Sequence, residues 1–222
     1  MSAARAAIQA AKRLVLPGGR GFRRVLWGPA AGCWLWLDLH HELRLYFGIY
    51  ERELGPSFRR LLRPGMKSFD IGGRDGYTAL AIAARTGADV LSFESDPQAA
   101  ASMRQVFERN AHPVRAVNAF VGANDGDSSI TVDRAAGEYF VPDFIKVDVE
   151  GGEADVLAGA AHTLEGRRPA LIVEVHGTGS EAACREILAR HRYGVEAVDR
   201  ARWFAEHRPL AHNRWLACVP RA

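Results

Sequence analysis

Cysteine is scarce in the 222-residue chain, and long apolar runs are absent. Cys33, Cys184 and Cys218 are scattered without CxxC spacing, which supports neither a disulfide framework nor a zinc site. We expect buried, reduced thiols in a cytoplasmic protein. No stretch of about 18 uninterrupted apolar residues occurs, so the sequence predicts no transmembrane segment. A formal net charge of +3 is too small to indicate a nucleic-acid-binding protein.

The first 60 residues are expected to form a helical and hairpin extension, and residues 61–222 the main domain. The basic start of the chain is predicted to be helical up to Pro17. It lacks the apolar centre and cleavage site of a signal peptide, so we expect a solvated or packed helix rather than a membrane-surface helix. The apolar run from Trp34 to Leu37 fits core packing, a lid over the site or the surface of a homodimer.

Short β-rich runs alternate with helix-like segments from residue 66 onward. The predicted strands cover residues 66–71, 88–94, 114–122, 143–150, 169–176, 194–199 and 214–220. The predicted helices cover residues 77–87, 97–110, 151–164 and 181–191, with Asp96 and Ser180 as N-caps. This alternation predicts an α/β fold with a mainly parallel, seven-stranded sheet and helices on both faces. The last two strands have no room for a crossover helix, so we expect them to be antiparallel neighbours.

The stretch SFDIGGRDGYTAL places a glycine-rich turn directly after the first strand of this sheet. Gly72, Gly73 and Gly76 permit a tight turn into a helix and let a ligand approach the backbone. The spacing is not the GxGxxG of dinucleotide-binding proteins, and Asp70 would repel a pyrophosphate. Both features argue against a nicotinamide-dependent oxidoreductase. An amino acid moiety, with its ammonium group, suits the turn better, although a plain tight turn explains the glycines about as well.

Glu94 ends the next predicted strand, and Ser95 follows it. In parallel α/β sheets, a carboxylate at this place accepts hydrogen bonds from the hydroxyls of a ribose. Alone, Glu94 is explained more simply as a solvated strand end. Combined with the turn at Asp70, it predicts a site for S-adenosylmethionine, in which a nucleoside is joined to an amino acid.

The segments DIGGRDGYTAL, FESDP, DFIKVDVEGGEADVLAGA and LIVEVH together resemble the FkbM-type S-adenosylmethionine-dependent methyltransferases. IKVDVEGGE is the most specific of them, and the similarity spans about residues 46 to 178. The resemblance implies the Rossmann-like, seven-stranded fold of the class I methyltransferases, with one antiparallel strand. It also implies S-adenosyl-L-methionine as cofactor and methyl transfer, usually to oxygen, on a small molecule or glycan.

The resemblance also assigns roles to individual residues. Asp70, Gly72 and Gly76 match the first cofactor loop of the family, and Glu94 matches its ribose acid. Glu51 lies in the stretch that resembles the family and is expected to contact the cofactor from a lid. The residues that match the family signature after the fourth and fifth strands are Lys146, Asp148, Glu150, Gly151, Glu153, Glu174 and His176.

Two features depart from the family pattern. Arg74 stands where a small polar residue is usual, and Asp75 where an apolar residue is common, so we expect altered contacts near the methionine end of the cofactor. The loop before the fourth strand is short, which leaves the acceptor, and whether this chain is active, open.

Methyl transfer needs an acceptor oxygen held near the methyl group and a base for its proton. His176 is the first choice for this base, because a neutral imidazole is available near pH 7. Asp148 and Glu174 complete the predicted catalytic group, and Asp148 also belongs to the predicted cofactor site. The structural alternatives are a core or capping histidine and a helix-capping Asp148. Lys146 is expected to form a structural ion pair.

A magnesium site can be drawn from Asp148, Glu150, Glu174 and His176, since oxygen ligands suit that ion. Methyl transfer does not require a metal, and none is expected. The sequence therefore predicts a methyltransferase acting on oxygen of a small molecule or sugar. The alternative is a non-catalytic protein that keeps the fold to bind a cofactor or a partner.

Overall fold

The computed structural model describes residue 16, residues 18–198 and residues 213–221. The first predicted helix and much of the link between the last two strands lie outside these residues. The N-terminal part begins with a two-stranded antiparallel hairpin, followed by short helices. Its elements are β1 (Arg20–Arg24), β2 (Trp34–Asp38), α1 (Leu43–Tyr46), a 3-10 helix (Arg52–Leu54) and α2 (Gly55–Leu61).

The main part of the chain alternates strands and helices, as the sequence predicts. In chain order its elements are β3 (Ser68–Ile71), α3 (Tyr77–Thr86), β4 (Val90–Glu94), α4 (Pro97–Glu108), β5 (Val114–Asn118), β6 (Phe120–Val121), β7 (Ser129–Ile130), α5 (Val132–Glu138), β8 (Phe144–Val147), α6 (Glu153–Ala158), α7 (Ala161–Gly166), β9 (Ala170–His176), α8 (Thr178–Arg190), β10 (Tyr193–Ala197) and β11 (Asn213–Pro220).

The central sheet has seven strands in the order β10-β11-β9-β8-β3-β4-β5. The pairs from β9 to β5 are parallel, whereas β11 is antiparallel to both of its neighbours. The predicted seven-stranded, mainly parallel sheet with its antiparallel closing pair is thereby confirmed. Because β3 lies between β4 and β8, its carboxyl end meets the ends of both, and a ligand site is expected there.

Local signals account for the ends of two helices. The side chain of Asp96 accepts a hydrogen bond from the amide of Ala99 (2.6 Å) and caps α4, which begins at Pro97. Helix α3 ends at Gly87, which adopts a left-handed conformation (φ 64°) and closes the last turn. Both ends lie where the sequence predicts them.

Three local predictions are wrong. Residues 151–164 form two helices, because the chain breaks at Gly159, whose carbonyl accepts the amide of Asp133 (3.0 Å). The third predicted strand ends at Asn118, since the next residues pair with β7 instead. Ser180 does not cap α8, which begins at Thr178, because its hydroxyl donates to the carboxylate of Glu153 instead.

Apolar side chains fill both faces of the sheet. One cluster joins the N-terminal part to α3 and α4, and it contains Leu35, Leu37, Leu54 and Leu80. Core packing thus explains the two leucines of the Trp34–Leu37 run, whereas Trp36 stays 38% exposed. The three cysteines are buried and unpaired, as expected. Within the described part of the chain, none of the helices has the length and apolarity that crossing a bilayer would need.

Candidate functional site

A cavity of about 400 Å³ lies at the carboxyl ends of β3, β4 and β8. This volume falls in the range of small-molecule sites in proteins, about 300–1,000 Å³. The lining residues come mainly from residues 50–51, 71–75, 93–95, 119–121 and 148–150. The cavity therefore gathers the glycine turn, the end of the second sheet strand and the signature segment around one space.

The glycine turn is required by the packing of the chain itself. Gly72 has a φ of 86°, and a Cβ there would overlap the carbonyl oxygen of Asp148. Gly76 has a φ of 81°, and a Cβ there would lie 2.6 Å from the ring of Phe107. Gly72 and Gly73 line the cavity, whereas Gly76 is not among its lining residues. Close backbone approach at this turn is thus real, but at Gly76 the close neighbour is a core side chain.

Asp70 is completely buried and is not among the residues that line the cavity. The sheet register places it between Ser92 on β4 and Lys146 on β8. The hydroxyl of Ser92 donates to Asp70 (2.8 Å), and the Lys146 ammonium lies 3.5 Å from the other carboxylate oxygen. The predicted ion pair of Lys146 is confirmed. Asp70 precedes the turn and anchors it to the interior of the protein.

Lys146 carries its charge inside the protein. Its side chain is 3% exposed, and its Nζ also donates to the carbonyl of Gly72 (3.2 Å) and lies 3.4 Å from Asp148. Burial acts to lower the pKa of Lys146, but Asp70 and Asp148 outweigh it and raise the pKa above its ordinary value. For Asp70, burial acts in the other direction and raises the pKa, and the positive charge of Lys146 opposes this increase.

Glu94 ends β4 at the cavity wall with its carboxylate held by two backbone amides. One oxygen accepts from Arg74 (3.0 Å) and the other from Asp96 (2.9 Å). A carboxylate has about four lone-pair positions, so each oxygen keeps one free to accept another hydrogen bond. Ser95 is exposed and also lines the cavity.

The two departures from the family pattern have local structural roles. Arg74 adopts a left-handed conformation (φ 48°), which aims its amide at Glu94. The carboxylate of Asp75 accepts the amide of Tyr77 (2.9 Å) in the first turn of α3. Burial raises the pKa of Asp75 to about 6. Arg74 and Asp75 both line the cavity, as the prediction of altered contacts requires.

The N-terminal part contributes Tyr50 and Glu51 to the cavity wall. Glu51 has a left-handed backbone (φ 45°) and shares a side-chain hydrogen bond with Tyr50. Burial raises the pKa of Glu51 to about 8, although Lys146 opposes the shift. Glu51 therefore lies on the wall that a ligand in the cavity would contact, and its role in binding stays a prediction.

A cluster of polar side chains that do not line the cavity adjoins Asp148. Asp148 lines the cavity, whereas Glu174 and His176 are not among the lining residues. The Nε2 atom of His176 lies 3.8 Å from a carboxylate oxygen of Asp148 and 3.8 Å from one of Glu174. The Nδ1 atom of His176 contacts Glu153 at 2.7 Å. Glu174 and His176 face the same side of β9, as predicted, and Glu150 is exposed and outside this group.

Sequence reasoning missed two parts of the site. Ala119, Phe120 and Val121 form an apolar stretch of the cavity wall, but their apolar character predicts a continuation of the third strand just as well. The contact of Glu153 with His176 joins residues 23 positions apart, and helix-start position alone explains an acidic residue at Glu153.

Known proteins share the fold and part of the sequence. Residues 128–207 match the methyltransferase FkbM domain. Precorrin-6y C5,15-methyltransferase from Geobacter metallireducens is similar to this chain with a TM-score of 0.59 and 15% identity, over 81% of this chain and 91% of that one. Methyltransferase FkbM from Methylobacillus flagellatus gives a TM-score of 0.54 and 18% identity, over 74% of this chain and 50% of that one. None of the curated protein sequences matches this chain.

These similarities confirm the predicted resemblance to the FkbM-type methyltransferases over the matched segment. They also confirm the class I methyltransferase fold, which the strand order of the central sheet shows independently.

Proposed function

We propose that this protein is an S-adenosylmethionine-dependent methyltransferase that modifies an oxygen atom of a small molecule or sugar. One observation carries the proposal: a single cavity brings together the glycine turn, Glu94 and Asp148 at the carboxyl ends of neighbouring parallel strands. S-adenosylmethionine, when bound, supplies the methyl group. The protein supplies binding, orientation and the charges around the acceptor.

Glu94 is proposed to bind the ribose. Its two oxygens are fixed by the amides of Arg74 and Asp96, and each keeps a free lone pair. Two vicinal hydroxyls match such a pair of acceptors. Ser95 lies beside Glu94 on the cavity wall, and Phe120 and Val121 offer an apolar surface for the flat base of a nucleoside.

The amino acid end is proposed to lie over the turn at Gly72 and Gly73, near Glu51 and Asp148. The Asp148 carboxylate suits an ammonium group, and Glu51, whose pKa burial raises to about 8, can accept a hydrogen bond from it through its carbonyl oxygen. Asp70 contributes indirectly, because it is buried and holds Lys146 and Ser92 in place. Gly76 contributes by letting α3 begin close to α4.

Asp148 is proposed to contact the acceptor, because it lines the cavity and the rest of the predicted catalytic group does not. His176 and Glu174 are proposed to act through Asp148 and to fix the position of its carboxylate. Oxygen as the acceptor atom fits this group, since a carboxylate accepts a hydrogen bond from a hydroxyl.

Calorimetric titration with S-adenosylhomocysteine tests the proposal. We expect one molecule to bind per chain, and we expect NAD⁺ at the same concentrations to give no binding. Tight binding of NAD⁺ instead would contradict the proposed cofactor. A screen of hydroxylated small molecules and sugars with labelled S-adenosylmethionine then tests turnover. Binding without methyl transfer to any of them would favour a non-catalytic cofactor-binding protein with the same fold.

A further inference from the structure

We propose that Asp148, Glu174 and His176 bind one divalent transition-metal ion, such as Mn²⁺ or Zn²⁺, at the edge of the cavity. The sequence alone favours no metal, because methyl transfer does not require one. The folded chain brings one potential ligand atom from each of these residues to within 4.8 Å of the others. The contacts of His176 also determine which of its two ring nitrogens can bind an ion.

Glu153 fixes the orientation and the tautomer of His176. The side chain of Glu153 is completely buried, and it accepts the amide of Gly151 (2.7 Å) and the hydroxyl of Ser180 (2.5 Å). Such a carboxylate is an acceptor only, so Nδ1 of His176, 2.7 Å away, is the nitrogen that carries the hydrogen. The other nitrogen, Nε2, then presents its lone pair.

The lone pair of Nε2 faces two carboxylates. Asp148 and Glu174 each have an oxygen 3.8 Å from Nε2, which is longer than an N–H···O hydrogen bond of about 2.7–3.2 Å. Asp148 and Glu174 are also within side-chain hydrogen-bond reach of each other. A hydrogen bond between two carboxyl groups needs one proton, and a cation shared by Asp148, Glu174 and Nε2 would replace that proton.

The surrounding pattern is that of a metal-binding histidine. Histidines that bind metals almost always donate their other ring N–H to a carboxylate, which fixes the ring and raises the basicity of the ligating nitrogen. Glu153 fills this place for His176, and Ser180 in turn holds Glu153.

The charge of the region also favours a cation. Asp148, Glu153 and Glu174 are largely withdrawn from water, with side-chain exposures of 19%, 0% and 4%. Lys146 supplies a positive charge nearby, which Asp148 shares with Asp70. A divalent ion would add positive charge to a region in which several carboxylates are largely withdrawn from water.

The mixed ligand set indicates the class of metal. Imidazole nitrogen suits Zn²⁺ and other transition ions, and carboxylates suit Mn²⁺, whereas Mg²⁺ and Ca²⁺ prefer oxygen ligands throughout. Three protein ligands leave at least one coordination position open. Because Asp148 lines the cavity, that position would be reached from the cavity. If the proposed methyl transfer is correct, the open position would hold the hydroxyl oxygen of the acceptor and lower its pKa.

Metal binding can be measured without an acceptor. Tag-free full-length protein is stripped with a chelator, and Mn²⁺ is titrated while the electron paramagnetic resonance signal of the free ion is followed. Calorimetry with Zn²⁺ gives the stoichiometry. We expect one ion per chain with micromolar or tighter affinity. Absence of stoichiometric uptake of both ions by the wild-type protein would overturn the proposal and leave His176 as a hydrogen-bond partner of Glu153.

Variants then locate the ion. His176→Gln and Glu174→Gln should weaken metal binding at least tenfold, and Glu153→Gln should weaken it by about 10- to 100-fold through the lost support of His176. His191→Gln is the matched control, because His191 also lies near a carboxylate, 3.8 Å from Glu165, but elsewhere in the fold. Unchanged metal affinity in His176→Gln, with an unchanged unfolding midpoint, would place the ion elsewhere and refute the site.

The metal and the cofactor proposals fail separately. S-adenosylhomocysteine is titrated into the metal-free protein and into the metal-loaded protein. Binding of S-adenosylhomocysteine without any metal uptake would remove the metal site and leave the proposed function in place. Metal uptake without binding of S-adenosylhomocysteine would do the reverse.

Discussion

Gly72 lies against the backbone of Asp148, so closely that any side chain at Gly72 would overlap the Asp148 carbonyl oxygen. This contact fixes the turn after β3 to the segment after β8 at the floor of the cavity. Gly72→Ala should lower the free energy of unfolding by about 2–4 kcal/mol, since alanine resists the left-handed conformation and must also push the two segments apart. Urea unfolding measures the change.

Gly137→Ala is the control for this variant. Gly137 is an exposed residue of α5 with no atom within 4 Å of an added Cβ, so alanine there should leave stability unchanged or raise it by about 0.5–1 kcal/mol. Equal losses in the two variants would show that the contact between Gly72 and Asp148 is unimportant.

The ion pair between Lys146 and Asp70 gives a second prediction. Lys146→Met leaves a completely buried Asp70 without its cation and should cost about 3–5 kcal/mol of unfolding free energy. Adding Asp70→Asn should recover a large part of this loss, because the unpaired charge is then gone. Lys67→Met, which breaks an exposed pair with Asp89, should cost less than about 1 kcal/mol. Strictly additive losses in the double variant would argue against the pair.

Glu94 gives a prediction for ligand binding. Glu94→Ala should weaken binding of S-adenosylhomocysteine by about ten- to a hundredfold, which corresponds to the loss of charge-assisted hydrogen bonds worth roughly 1.5–3 kcal/mol. Calorimetry at one pH and salt concentration measures the change. Glu186→Ala, at an exposed glutamate of α8, serves as the matched control and should bind as the wild type does. Superimposable titrations of Glu94→Ala and the wild type would exclude Glu94 from the site.

Asp75 makes stability depend on pH. Its pKa is about 6 in the folded protein and near its ordinary value of 3.8 in the unfolded chain, so the unfolded state loses this proton first. The contribution of Asp75 to stability is therefore present at pH 4 and is lost as the pH rises through 6. Asp75→Asn keeps an acceptor for the amide of Tyr77 and has no such proton.

Between pH 4 and pH 7, the variant Asp75→Asn should gain roughly 1–3 kcal/mol of stability relative to the wild type. Denaturant unfolding of both proteins at the two pH values gives this difference. A stability difference that stays constant over the range would mean that Asp75 has the same pKa in both states.

The sequence predicts well whatever local pattern determines. The positions of Glu94 and of the glycine turn follow from where apolar runs end, and the helix ends at Asp96 and Gly87 follow from capping preferences. The antiparallel closing pair follows from a link too short for a crossover. These inferences need only neighbours along the chain.

The rest depends on contacts between distant segments. Asp70 precedes the turn in sequence, yet pairing with Lys146 and Ser92 withdraws it from the cavity. Serine is a common helix cap, but the hydroxyl of Ser180 donates to the carboxylate of Glu153, 27 residues away. A polar side chain can have a plausible partner nearby in sequence and another in a distant segment. Which of the two it bonds to is decided when the segments pack together.

The packing of the N-terminal part has a consequence for how the molecule unfolds. The ring of Phe58 on α2 meets that of Phe144 on β8 (centroids 6.2 Å apart), and Arg85 of α3 donates to the carbonyls of Phe58 and Arg59. Residues before 61 thus share one apolar cluster with the central sheet and also supply Tyr50 to the cavity wall. A fragment starting at residue 61 would leave that cluster open to water, so heat should melt both parts in a single transition, which a bound ligand shifts upward as a whole.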